Sequence, residues 1–222
     1  MITLYDHPRS GNCYKVRLFL ALIALPYRRE FMDVLARKNQ TEAFERISAW
    51  RQVPAIDDGG LAVWDSHAIL MYLAQKHAPQ WLAPLPHSAQ MHAWLSVSAN
   101  EIANSLQPLR LTKVVSHAEA AHHLGVSEAL LDVQGLKLRT DRLLKQLEKR
   151  LGVSPWLATV RSVADIACYG YLALAEEAGI DLDGYPALSA WRRRIEELPG
   201  YVAPQHTNTK HTGEKHGSDL ST

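Results

Sequence analysis

Two short stretches carry side chains that could do chemistry. Ser10, Asn12 and Cys13 crowd into the segment Pro8-Arg9-Ser10-Gly11-Asn12-Cys13-Tyr14-Lys15-Val16-Arg17. A hydroxyl that donates a hydrogen bond beside a helix N-terminus stabilises an anion. The charge-assisted bond and the helix dipole act together, on the order of one to three kcal/mol. A cysteine in the first turn of a helix is placed where a thiolate is favoured. The same residue types also serve as plain turn and N-cap residues, so the local pattern leaves both roles open. The second stretch is Asp65-Ser66, just ahead of an apolar helical run. Such a pair caps a helix, and the unpaired N–H groups there can also hold a carboxylate.

Other chemistries lack their residues. There is no GxGxxG, P-loop or HExxH pattern. Cys13 and Cys168 are the only cysteines, far apart and without metal-ligand spacing, so no metal is expected and a reducing, cytoplasmic setting is. The run HTNTKHTGEK at 206–215 resembles the end and linker of a zinc finger, but no cysteine pair stands upstream, and a solvated tail is expected.

Elements must position the two stretches. Ile2 to Tyr5 reads as a strand, and DHPRSG as a turn. From Asn12 the apolar period becomes helical until Pro26. Residues 27–34 alternate as a second strand, and 41–47 form a short helix. Val53-Pro54-Ala55-Ile56 opens a third strand, Asp57-Asp58-Gly59-Gly60 is a hairpin turn, and Leu61 to Trp64 returns. Asp65-Ser66 then caps a helix with Ile69, Leu70, Tyr72 and Leu73 inward. This order is an α/β unit around one mixed sheet. Residues 78–88, rich in proline, read as a linker. Beyond it the pattern is all-helical: one helix over 89–112, another over 127–151, one from the Ser162-Val163-Ala164-Asp165 capping box to Ala178, and a last one from Pro186 to about Leu198. The boundaries expected are 1–77, 78–88, 89–202 and a disordered polar tail over 203–222.

A net charge of +1 gives no electrostatic reason to expect nucleic acid or an anionic membrane as partner. No apolar run reaches the roughly 18 to 20 residues needed to span a bilayer, and the start lacks the features of a secretory signal.

Over about residues 1–202 the sequence resembles the cytosolic glutathione transferase superfamily, and its bacterial, theta-, zeta- and nu-like members in particular. Four motifs in order carry the resemblance: the serine-bearing turn at Pro8 to Arg17, Gln52-Val53-Pro54, Asp65-Ser66 leading into His67-Ala68-Ile69-Leu70-Met71-Tyr72-Leu73, and Ser162-Val163-Ala164-Asp165. It implies a thioredoxin-like α/β N-terminal domain followed by an all-α domain. It also implies conjugation of the glutathione thiolate to hydrophobic electrophiles by a homodimer, with Phe44 or Trp50 at the interface. Ser10 would stabilise the thiolate, Asn12 would assist it, and Cys13 is the rival. Pro54 would be cis, which costs a proline only about 0.5 to 1 kcal/mol. The Val53 backbone would pair with the cysteinyl part of glutathione like an added strand. Ser66 would hold the γ-glutamyl carboxylate and Asp65 its ammonium.

Departures from the family pattern leave one end of the site open. Asn39 stands where relatives often have histidine, and Trp50-Arg51 replaces small turn residues. Lys38 and Gln40 are the candidates for the glycyl carboxylate, Arg51 either pairs with a glutathione carboxylate or is solvated, and Gln52 belongs with Val53 and Pro54 to the glutathione-binding set. Tyr14, Leu106, Leu109, Arg110 and Lys113 are the candidates for the electrophile wall, with core packing the alternative for the apolar ones. Two rival functions stand beside transfer. One is glutathione-dependent disulfide reduction or isomerisation through Cys13 or Asn12, and the other is a non-catalytic glutathione-binding scaffold.

Overall fold

The computed structural model describes residues 1–34 and 36–205. The tail at 206–222, with its HTNTKHTGEK run, lies outside the described residues. The first half is built on a sheet ordered β2-β1-β3-β4, from β1 (Ile2–Asp6), β2 (Tyr27–Phe31), β3 (Ala55–Asp58) and β4 (Leu61–Trp64). β1 runs parallel to β2 and antiparallel to β3, with Leu4 opposite Arg29 on one side and Ile56 on the other. Helix α1 (Gly11–Leu22) makes the β1–β2 crossover, and α3 (Ser66–His77) packs beside it. α2 (Glu42–Glu45) is a single turn capped by Thr41. The hairpin turn is as its residues demand: Gly59 and Gly60 have φ of 65° and 98°, the left-handed geometry of a two-residue loop.

Two strand ends differ from expectation, for backbone reasons. β2 stops at Phe31, not Val34, because β1 ends at Asp6, whose carbonyl takes the last ladder bond from Met32 N–H at 2.8 Å. β3 begins at Ala55, because Pro54 has no N–H to give a ladder.

The second half is helical: α4 (Ser88–Val97), α5 (Leu106–Val114), α6 (His117–His123), α7 (Val133–Leu151), α8 (Val163–Leu172) and α9 (Pro186–Glu196). The single helix expected over 89–112 is broken. After α4 comes a π-turn at Ser98–Ile102, then a restart at α5. Asn104 Nδ2 and Ser105 Oγ donate back to the carbonyls of Asn100 and Glu101 at 2.8 and 2.5 Å. Pro108, in the first turn of α5, has no N–H with which to continue the ladder. The helix expected over 127–151 begins at Val133, after a 3₁₀ turn at Glu128–Leu130, because Asp132 caps it through Gly135 N–H at 2.7 Å. α6, with its Ser116–Glu119 capping box, was not anticipated. Nor is the proline-rich connection featureless. Trp81 within it is buried, edge-on to Phe19 at 5.4 Å, with Arg161 over its face at 4.5 Å.

The halves share one core, with α8 buried along its whole length and packed on α1 and α4. Asp165 pins its start. Its carboxylate accepts from Ser162 N–H (2.9 Å), Leu157 N–H (3.0 Å) and Trp191 Nε1–H (2.9 Å). Burial pushes this carboxyl up to about 6, while those donors favour the ionised form. Replacing Asp165 with Ala strands three buried donors. We expect a loss of about 3 kcal/mol or more and a Tm lowered by roughly 10 °C by calorimetry. A shift under about 2 °C would show the box to be dispensable.

Candidate functional site

One wall of the site is the β1–α1 turn. Asp6, fully buried at the end of β1, is gripped by Arg17 from α1 and by Arg29 from β2. Arg17 also donates to the carbonyls of Pro8 (3.1 Å) and His7 (3.4 Å), so the turn's own backbone is tied to the helix it feeds. Ser10 is the N-cap of α1, and its Oγ accepts from Cys13 N–H at 3.2 Å. That bond uses an oxygen lone pair and leaves the hydroxyl proton to donate. Gly11 lies against the Tyr171 ring, which an added Cβ would approach to 2.8 Å. Asn12, half-buried, lines the cleft in front of this helix end.

The other wall comes from the β3 entry and the start of α3. The Val53–Pro54 bond is cis. Ser48 Oγ holds both the N–H (3.1 Å) and the carbonyl (2.9 Å) of Gln52, and Asn39 Nδ2 donates to Arg51 O at 2.6 Å. Asp65 caps α3 at φ 72°, ψ 128°, a conformation that strains a non-glycine residue and persists where surrounding bonds impose it. Its Oδ1 accepts from His67 N–H (2.8 Å) and Ala68 N–H (3.1 Å). The His67 side chain, its Nδ1 3.5 Å from the same oxygen, does most to hold the Asp65 carboxyl down at about 2. Asn12, Gln52, Val53, Pro54, Trp64, Asp65 and Ser66 together line a cleft of about 50 Å³.

The structure thus brings Asn12, Gln52, Val53, Pro54, Asp65 and Ser66 to one place, with Ser10 at the adjoining helix cap. Several expected residues stand elsewhere. Cys13 faces the interior; its sulfur accepts from His7 N–H at 3.4 Å, and burial pushes its thiol up to about 12. That removes it as a nucleophile or thiolate. Tyr14 is buried and donates to Val202 O at 2.9 Å, and Leu106 and Leu109 are fully buried core residues, so none walls an open pocket. Arg110 is buried against Glu177 at 2.6 Å and donates to Arg9 O at 3.1 Å, a structural tie between α5 and the turn. Lys113 is exposed at the end of α5. Arg51 pairs with Glu45 at 2.5 Å, and Lys38 and Gln40 are exposed without lining the cleft. Phe44 is buried edge-on to Tyr5 at 5.5 Å, unavailable to an interface, whereas Trp50 is 71% exposed.

The sequence reading missed Asp6, Arg17, Trp64 and Tyr171. Arg17 and Lys15 left a signal: two cations on an otherwise apolar helix, both of which prove buried. Trp64 left none, because a strand-end aromatic is ordinary.

The comparisons with known proteins agree with this architecture. The glutathione S-transferase N-terminal domain family matches residues 1–75, and the C-terminal domain family residues 128–199. Disulfide-bond oxidoreductase YfcG of Escherichia coli (strain K12) is 32% identical over 212 residues, 90% of this chain and 92% of that protein. Glutathione S-transferase theta-2 of Mus musculus is 30% identical over 205 residues, covering 90% and 82%. The crystal structure of a glutathione S-transferase from Pseudomonas fluorescens Pf-5 superposes with TM-score 0.76 at 31% identity, over 90% of this chain and 97% of the other. The chain belongs to the cytosolic glutathione S-transferase superfamily, with the thioredoxin-like plus helical fold of that group. Among the described residues no helix is long and apolar enough to cross a membrane, and no cluster of three His, Cys, Asp or Glu side chains is arranged for a metal ion.

The depressed Asp65 carboxyl sets a pH dependence with a definite sign. The unfolded group titrates near pH 3.9 and the folded one at about 2. Its contribution to stability is therefore complete above about pH 4 and lost as pH falls towards 2. Urea titrations of wild type and Asp65→Asn should give a stability gap that is constant from about pH 4 to 6 and narrows below. A gap that persists undiminished at pH 2 would contradict the assignment.

Proposed function

We propose that the chain binds glutathione and transfers its sulfur to hydrophobic electrophiles. The observation that carries this reading is the meeting of the first turn of α1, the Val53–Pro54 edge and the α3 N-terminus around one cleft. Among the described residues the Val53 N–H and carbonyl have no hydrogen-bond partner, so both are available to the cysteinyl backbone in the manner of an added strand. The Ser66 hydroxyl is likewise uncommitted, beside its own N–H, the one in the first turn of α3 left without an acceptor among the described residues, and the pair suits the γ-glutamyl carboxylate. Asp65, ionised, suits the ammonium. Lys38 and Gln40 are the candidates for the glycyl carboxylate.

A free cysteine thiol has a pKa near about 8.5, so little thiolate exists at neutral pH. Ser10 O–H and the Asn12 carboxamide, at a helix N-terminus, stabilise the sulfur anion. The thiolate then attacks the electrophilic carbon, a C–S bond forms, and the leaving group departs with its electron pair. The end of α5 bounds the acceptor side. Arg9 donates to Val114 O at 2.9 Å, which brings half-buried Leu111 and Val114 and exposed Lys113 near the turn. A homodimer joined at a surface that includes Trp50, and a cytoplasmic, detoxifying role, belong to the same proposal.

A second reading is favoured by the 32% identical relative that is named a disulfide-bond oxidoreductase. Because Cys13 and Cys168 are both buried, that reaction would use two glutathione molecules. One disulfide substrate is reduced to two thiols as the pair is oxidised to glutathione disulfide. Cys13→Ala would then leave it intact.

Ser10→Ala and Asn12→Ala should each lower kcat for conjugation at least about tenfold, equivalent to the charge-assisted bond removed. Glutathione affinity should change little. The pH–rate midpoint should lie below about 8.5 in wild type and move up towards it in the variants. Unchanged turnover in both would remove the α1 start from thiol activation. A disulfide substrate turned over while an electrophile panel is not would favour the second reading.

A further inference from the structure

Tyr171 carries a side chain of the helical half to the start of α1. It stands near the end of α8 with 5% of its surface exposed. An added Cβ on Gly11 would lie 2.8 Å from Tyr171 Cε1 and Cζ and 3.0 Å from Cε2. Those three carbons are the hydroxyl-bearing end of the ring. The phenol oxygen therefore sits at the first turn of α1, beside Ser10 and Asn12, and the approach requires a residue without a side chain at position 11.

The hydroxyl is a donor without an acceptor. Tyr14, Tyr72, Tyr169 and Tyr185 each donate to a carbonyl or carboxylate oxygen. The Tyr171 proton has no such acceptor among the described residues. What reaches its oxygen is another donor, the backbone N–H of Asn12, which favours the ionised form. Burial acts most strongly and pushes the phenol up, with Cys13 adding to it, while the Arg110 guanidinium and the Asn12 N–H pull the other way. The group thus keeps its proton at neutral pH. The Lys15 ammonium stands 5.5 Å from the ring centroid, so the surroundings of the ring are cationic as well. A buried hydroxyl that donates to nothing costs stability, and phenylalanine would fill the same space against Gly11 without that cost. Packing accounts for the ring and leaves the oxygen without a use.

We propose that Tyr171 is a catalytic residue supplied by the helical half: its hydroxyl donates a hydrogen bond to the sulfur of bound glutathione, as a third donor beside Ser10 O–H and the Asn12 carboxamide. This rests on the glutathione reading given above. The thiol proton leaves to solvent, and Tyr171 keeps its own while its O–H points at the anion. The Asn12 N–H on the phenol oxygen polarises that O–H and strengthens it as a donor. When the C–S bond forms, the sulfur loses its charge and the bond weakens.

The test titrates the bound thiol through the ultraviolet absorbance of its thiolate, in wild type, Tyr171→Phe and Ser10→Ala. In Tyr171→Phe the midpoint should rise by about one unit, and kcat at neutral pH should fall about tenfold. Affinity for S-methylglutathione, which has no thiolate to stabilise, should stay unchanged. A packing role would not move the midpoint and would weaken both ligands alike. Should Tyr171→Phe fail to fold, a ring-fluorinated tyrosine placed at position 171 alone stands in. Its hydroxyl is more acidic at the same place and should lower the midpoint. A midpoint that moves in Ser10→Ala and stays fixed when Tyr171 is altered would overturn the proposal, whatever turnover does, and so would equal losses for the two ligands. Either result leaves the glutathione reading standing. A wild type that binds neither ligand would overturn both.

Discussion

The buried carboxylate of Asp6 is the interaction on which the site depends. It ends the central strand, and it is held by one arginine from the helix that follows and another from the neighbouring strand. A carboxylate can sit in such an interior only when it is paired and hydrogen-bonded. The same arginine that neutralises it also occupies the carbonyls of His7 and Pro8. The turn can therefore approach the cleft in one way only, and the start of α1 inherits its direction. Loss of both arginines would leave a buried charge uncompensated, a far larger penalty than loss of an exposed pair.

The second wall is organised by a comparable device. Asp65 is strained in its backbone and saturated on one oxygen, and a chain of polar contacts runs behind it through His67 and Ser98 to Lys15. Those contacts cross the seam between the halves. Ser98 belongs to the helical part, Lys15 and His67 to the α/β part, and the carbonyl that anchors Ser98 is in α8. The helical half thus supports the Asp65 wall of the cleft.

Much of this was legible in the residues, and what was not has physical causes. The order of elements in the first half followed from period, turn chemistry and caps, because each signal there is local. Asp57-Asp58-Gly59-Gly60 could be little else than a hairpin, and Asp65-Ser66 little else than a helix start. The long helix over 89–112 failed because its apolar spacing runs unbroken across Asn104 and Ser105, whose side chains compete for backbone groups at short range. Of the residues read from helix caps and turns, Asn12, Asp65 and Ser66 line the cleft and Ser10 caps the helix beside it. Those read from apolar helix faces, Tyr14, Leu106 and Leu109, went to the core, since periodicity does not tell a pocket wall from an interior. Cys13 illustrates the same limit. Its position in the first turn was visible, but the side of the helix it occupies was decided by α8 packing against α1.

The burial of both thiols has one more consequence. Cys13 and Cys168 lie on α1 and α8, the two helices that meet at the seam, and neither exposes any surface. An alkylating reagent added to the folded protein can reach them only when that contact opens. Their labelling rates in native buffer would read the free energy of local opening directly. The chain carries its own internal gauge of how often its halves come apart.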